Sequence, residues 1–242
     1  MIKKAIRYMQ RKVNFSLPIF NVNKTSHDKN CLLLYITDSF KNANVSTVHQ
    51  NFWQVLEIAR IIGELGYNVD ALDYRIKHTY FKGKKYDLIF DICAKEKPIF
   101  RKNISRDCKK IIYFTGGESK FANSAELERI NNLEKRRRVK LVPRRQAPLI
   151  PKCVEDYDTA IMIGNEYNFS TYKEFKFKKS FLVPNTGYDF NFEFNADTKK
   201  STNFMFFESG GSVHKGLDLL LEVFSEKEPL DVRGPAELLR LS

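Results

Sequence analysis

Lys215 is the residue whose surroundings point most directly to chemistry. It stands in NFMFFESGGSVHKGLDLLLEVFS, residues 203–225. An apolar run at 203–207 reads as a strand and opens into a glycine-containing loop. A helical pattern follows from Gly216, with Leu217, Leu220, Leu221 and Phe224 on one face. The start of a helix carries free backbone N–H groups. With Gly216 opening the helix and Lys215 in its first turn, the segment suits an anion such as a diphosphate. Gly210 and Gly211 allow a ligand close to the backbone, and His214 is placed to add a phosphate contact. By chemistry alone the same residues also fit a structural turn with a solvated lysine. His214, like His49, fits either a general base or a packing histidine.

A second set follows from what must hold such a site. Short apolar runs at 31–36 (CLLLYI), 67–72, 86–92, 110–114, 159–163 and 180–183 alternate with helical patterns. That alternation predicts an α/β fold with a parallel sheet and helices on both faces. The first helix is expected over 47–65, with Phe52, Leu56, Ala59 and Ile62 inward and Gly66 as its stop. The next is expected over 124–138, with Leu127, Ile130 and Leu133 inward and Asn123 and Glu126 as a capping box. In open parallel sheets ligands bind outside the C-terminal strand ends. This selects Asp38, Ser46 and Thr47 after the first strand, and Thr115, Gly116, Gly117 and Glu118 after the fourth. Glu118 is the candidate catalytic residue, orienting an acceptor hydroxyl. Ser46 and Thr47 serve equally well as helix caps.

Composition limits the partners. Lys and Arg number 41 against 29 Asp and Glu, a net charge of +12, which favours anionic ligands or surfaces. Residues 1–13 place Ile2, Ala5, Ile6, Met9 and Val13 at helical spacing opposite Lys3, Lys4, Arg7, Arg11 and Lys12. Such a segment suits a peripheral contact with an anionic membrane, or docking on its own domain. Residues 14–30 read as a polar linker. Residues 135–145 hold seven cations but no aromatic for base stacking, so no nucleic-acid partner is expected; a basic rim near an acidic ligand or lipid fits better. Four scattered cysteines argue against a zinc site or a disulfide framework. No apolar stretch reaches the ~20 residues of a membrane span, and a signal-peptide pattern is lacking. A location in the cytoplasm, or peripheral on the cytoplasmic membrane face, is expected. The first strand is not followed by G-x-G-x-x-G, which argues against a nicotinamide enzyme.

Residues 203–225 resemble the first strand–loop–helix of the donor-binding lobe in group 1 (family 4) glycosyltransferases, where Lys-Gly before a Leu-rich helix recurs. Residues 49–74, HQNFWQVLEIARIIGELGYNVDALDY, are similar to the family's first helix and second strand. Residues 125–129 (AELER), 143–145 (PRR), 163–166 (IGNE) and 184–185 (PN) resemble one bacterial branch. The likeness spans about 31–224. It implies a GT-B protein with two Rossmann-like lobes. Residues 1–30 would be a basic N-terminal arm and 31–187 the acceptor-side lobe. Residues 188–242, a linker and the beginning of a donor-binding lobe, would leave that second lobe incomplete, because such a domain takes ~100–150 residues.

The implied activity is retaining transfer of a sugar from a nucleotide-diphosphate sugar to a hydroxyl acceptor. The setting would be assembly of a surface polysaccharide, lipopolysaccharide or glycolipid. The resemblance gives Lys215 the donor diphosphate, and it implies no metal and no cofactor beyond the nucleotide-sugar co-substrate. The family often carries an arginine five residues before that lysine, where Gly210 stands here. Its two later glutamates have no counterpart in the chain. A second reading is a non-catalytic module that binds a phosphorylated or anionic ligand.

Overall fold

The apolar runs form one all-parallel sheet. In the computed structural model, which describes residues 16–41, 49–76, 79, 81, 83–94, 102–143, 146–188, 206 and 213–225, the strands are β1 (Lys29–Tyr35), β2 (Tyr67–Asp73), β3 (Tyr86–Asp91), β4 (Ile104–Phe114), β5 (Thr159–Ile163) and β6 (Ser180–Val183). The described helices are α1 (Asn51–Glu64), α2 (Ser119–Arg137), α3 (Glu166–Ser170) and α4 (Leu217–Ser225). The strand order is β2-β1-β3-β4-β5-β6. The connection from β1 leads outward to β2, and the chain then returns past β1 to β3. The topological switch point therefore lies between β1 and β3.

Period-two alternation along β1 divides the core. Cys31, Leu33 and Tyr35 face one side, where Val55, Ala59 and Ile62 of α1 cover them. Leu32 and Leu34 face the other, against Leu72, Phe81, Tyr86 and Ile89. Farther along that second face, Ile112, Phe114, Ala160 and Met162 meet Val154, Tyr157 and Tyr172. The Phe114 and Tyr172 rings stand 4.6 Å apart. A strand buried on both faces gains from apolar residues at every position, which is why CLLLY reads as a continuous run. Helix α1 ends as expected: Gly66 adopts φ +90 and donates its amide to the Gly63 carbonyl.

The edges differ from the sequence pattern. Residues 16–25, expected as a polar linker, run along β2. Ile19 exchanges both backbone hydrogen bonds with Ala71 at 2.8 and 2.9 Å, and the Val22 amide donates to Val69. Asn23 donates to the Tyr67 carbonyl and accepts the Val69 amide. Asparagine side chains complete this pairing, so no hydrophobic alternation marks it. Beneath it, the fully buried Asp70 accepts from Lys84 Nζ, from the Tyr86 hydroxyl and from the Asn21 amide. Burial, then the Asp70 charge, pushes the Tyr86 hydroxyl well above its ordinary pKa. Strand β4 begins six residues earlier than expected, at Ile104. Its register with β3 shifts between Tyr86 and Leu88, a bulge that interrupted the apolar pattern.

The described residues fall into two compact units. One comprises those up to Glu118 and those from Leu149 to Tyr188, with the whole sheet. The other joins residues 119–148 to 206 and 213–225, and so holds α2 and α4. Helix α2 begins at Ser119, not 124. Asn123 is therefore inside the helix rather than capping it, and its side chain both donates to and accepts from the Ala147 backbone at 2.8 Å. Ile130 and Leu133 are buried as expected. Leu127 is exposed, and Glu126 is buried in its place. Among the described residues no helix is long and apolar enough to cross a membrane. The expected basic amphipathic helix at 1–13 lies outside the described residues.

Candidate functional site

In the sheet unit the candidate residues gather at the C-terminal strand ends. Tyr35 closes β1, and the chain turns through buried Thr37 into a short 3-10 helix, Asp38–Phe40. The Asp38 side chain is exposed, 3.8 Å from Lys41. Ser39 is buried and donates to the Phe52 carbonyl, which ties this turn to the first turn of α1. After β4, Thr115 is exposed. The Gly116 carbonyl accepts from the Tyr172 hydroxyl at 2.8 Å. A Cβ at Gly116 would meet open space, so no neighbouring side chain crowds the loop there. Glu118 is buried, and its amide donates to Thr171 Oγ1. Burial, and secondly the Glu118 charge, raises the Tyr172 pKa, so this hydroxyl is a donor at neutral pH. Ser46 and Thr47 lie outside the described residues.

Two side chains that the sequence pattern did not single out sit at the same edge. Asp91 ends β3, the strand between β1 and β4, and is 2% exposed. It accepts from the Tyr157 hydroxyl and from the Cys93 amide, both at 2.8 Å. A carboxylate closing the apolar run YDLIFD was the available signal. Gln54 of α1 is also buried. It accepts from Tyr35 at 3.3 Å and donates to Thr186 Oγ1 at 2.7 Å. Tyr188 donates to the His49 carbonyl at 3.3 Å. The chain leaving β6 is thus fastened beside the start of α1, at the same edge. His49 enters this set through its backbone carbonyl.

In the second unit, residues 213–216 form a turn and α4 begins at Leu217. Gly216 adopts φ +85, a left-handed conformation that disfavours any residue with a Cβ. Lys215 therefore precedes α4 instead of standing in its first turn. Its side chain is exposed. Arg129 of α2 reaches this turn: its guanidinium donates to the His214 carbonyl at 3.0 Å and stands 3.2 Å from His214 Nδ1. Arg129 belongs to the AELER stretch, and no sequence spacing links it to a residue 85 positions away. Gly210 and Gly211 lie outside the described residues.

Two of the seven cations in residues 135–145 are engaged within the unit. Arg136 bridges Asp218 and Glu222, and Arg137 bonds Glu222 at 3.1 Å. Part of the expected basic rim thus serves to join α2 to α4.

One Asp-x-Asp spacing does occur, Asp156 and Asp158, ahead of β5 and hence at the opposite edge of the sheet. Asp158 accepts the Lys110 amide at 2.9 Å and stands 3.5 Å from Lys178 Nζ. Its role there is to join strand starts. Among the described residues no group of three or more His, Cys, Asp or Glu is arranged to hold a metal ion. The four cysteines are free thiols, and burial raises the Cys108 pKa to about 11, so this thiol is protonated at neutral pH. No family model, no curated protein and no solved structure matches this chain.

Proposed function

We propose that the chain acts in glycosyl transfer from a nucleotide-diphosphate sugar to a hydroxyl acceptor. The observation that carries the reading is the turn before α4. An exposed lysine, an arginine brought in from α2 and a glycine with φ +85 converge ahead of a helix start. Two cations and free N–H groups suit a diphosphate, with Lys215 and Arg129 as the charged contacts. Stabilising the departing diphosphate is the largest contribution such a site makes to this reaction. In the sheet unit, the polar loops after β1 and β4, with Asp91 at the end of β3 between them, lie beside a switch point and suit an acceptor. Thr115 and the Gly116 backbone are open to it, and Asp38 is a second polar contact. Glu118, in this reading, orients the acceptor hydroxyl from a buried position.

The test is calorimetry and turnover with UDP-glucose and GDP-mannose, comparing the unmodified chain with Lys215→Ala and Arg129→Ala. Loss of donor affinity by roughly tenfold or more in each variant is expected, since a charge-assisted contact is worth about 1.5–3 kcal/mol. Unchanged affinity would remove this turn from the function. Tight binding with no hydrolysis or transfer would instead assign the chain as a binding module for phosphorylated ligands. The Arg129–His214 contact serves that second reading equally well.

A further inference from the structure

Residues 138–142 combine features that neither the fold nor glycosyl transfer uses. Helix α2 ends at Arg137. Arg138 takes a left-handed conformation, φ +58, while its amide donates back to the Glu134 carbonyl. The chain then leaves the helix with its apolar side chains in water: Val139 is 47% exposed, Leu141 41% and Val142 84%. Lys135, Arg138 and Lys140 are interleaved with them and are also exposed. Arg136 and Arg137 are committed to Asp218 and Glu222. Among the described residues, Lys135, Arg138 and Lys140 form no ion pair with the rest of the unit.

We infer that residues 135–142 are a membrane-docking segment, with Val139, Leu141 and Val142 entering an anionic lipid surface while Lys135, Arg138 and Lys140 pair with its headgroups. Aliphatic side chains at water have a use at a bilayer interface, and flanking cations add attraction to acidic lipids. Long cationic stems let the charge stay at headgroup depth while the chain beside it enters the apolar layer. A polyanion such as RNA would use the cations and leave three aliphatic side chains unexplained. It would also look in vain for an aromatic to stack on in this run. The inference is independent of the glycosyl-transfer reading, because it needs neither Lys215 nor a nucleotide sugar.

The experiment is vesicle co-sedimentation of the full chain. It uses phosphatidylcholine alone and an equal mixture with phosphatidylglycerol, without nucleotide sugar. Partition onto the mixed vesicles is expected. A triple variant, Val139→Ser with Leu141→Ser and Val142→Ser, should lower it about tenfold or more. Lys135→Gln with Lys140→Gln should lower it roughly twenty-fivefold on mixed vesicles, at about fivefold per charge, and leave neutral vesicles unaffected. Circular dichroism checks that each variant is folded. Absence of partition, or partition unchanged in the triple variant, overturns the inference. So does a lysine-dependent loss shared by single-stranded oligonucleotide binding and insensitive to the triple variant. A positional check uses Val142→Trp in a Trp53→Phe background with brominated lipid. Quenching supports insertion, and an unquenched tryptophan refutes it.

Discussion

The two edges of the sheet are built on different terms. At β2 the edge is closed. Residues 16–25 hydrogen-bond along it, and Asp70 beneath gathers Lys84, Tyr86 and the Asn21 amide onto one buried carboxylate. At β6 four residues form the edge, Phe181 is 57% exposed, and among the described residues nothing pairs with its outer side. The first edge is held by polar groups that have no alternative partner. The second is held by one neighbouring strand and a fastening at Thr186. An edge closed by satisfied buried polar groups resists slippage, whereas a short open edge relies on its brevity. The contrast predicts unequal costs of substitution.

The largest effect belongs to Asp70→Ala. It strands the Tyr86 hydroxyl and the Asn21 amide and removes the partner of Lys84, and should cost about 3 kcal/mol in urea unfolding. A cost under about 1 kcal/mol would mean that the β2 edge is closed by backbone pairing alone. Gly63→Ala tests the same edge from α1. Alanine gains about 1 kcal/mol of helix propensity, yet its Cβ would lie 2.6 Å from Asn23 Nδ2. Asn23 is locked by two hydrogen bonds, so the clash should win. A net loss of about 1 kcal/mol is expected, with faster tryptic cleavage after Lys24. The double variant with Asn23→Ala should be less destabilised than the two single losses summed. A stabilised Gly63→Ala protein would show that Asn23 yields.

Toward β6 the effects shrink. Thr186→Val leaves the Gln54 amide without its acceptor and should cost about 1 kcal/mol, also read by urea unfolding. Asp158 gives a pH-dependent term. Burial acts to raise its pKa, but the Lys110 amide and the neighbouring Lys178 and Lys109 outweigh it, so the folded value lies below the usual carboxylate range. A depressed folded pKa contributes stability above the unfolded value, and that contribution disappears as pH falls through the folded one. Because the Asp158 side chain is about a third exposed, solvent screening should keep the contribution under about 1 kcal/mol. Asp158→Asn should flatten the acid limb of the stability curve by that amount. A larger change would mark β6 as more firmly held than its exposure implies.

What the sequence made legible follows the same division. Strands β5 and β6 match their expected limits, and β1, β2 and β3 do so within two residues, since double-faced burial writes itself as apolar runs. The arm on β2 was not legible because asparagine side chains supply its pairing. The α2 start was missed because a helix with few apolar residues has no strong period to follow. Of the candidate site, the loops after β1 and β4 were placed by the rule for parallel sheets. Asp91, Gln54 and Arg129 were not, because Tyr157, Thr186 and His214 reach them from far along the chain.

That distance has a cost during synthesis. Helix α2 leaves the ribosome with Arg136, whose partner Glu222 is 86 residues away. At roughly 5–20 residues per second, α2 waits about 4 to 17 seconds for its counterions. Over the same interval β5 and β6 are made and can complete the sheet. The chain order therefore sets an assembly schedule in which the sheet unit is finished before the helix that leaves it at Ser119 can be fastened.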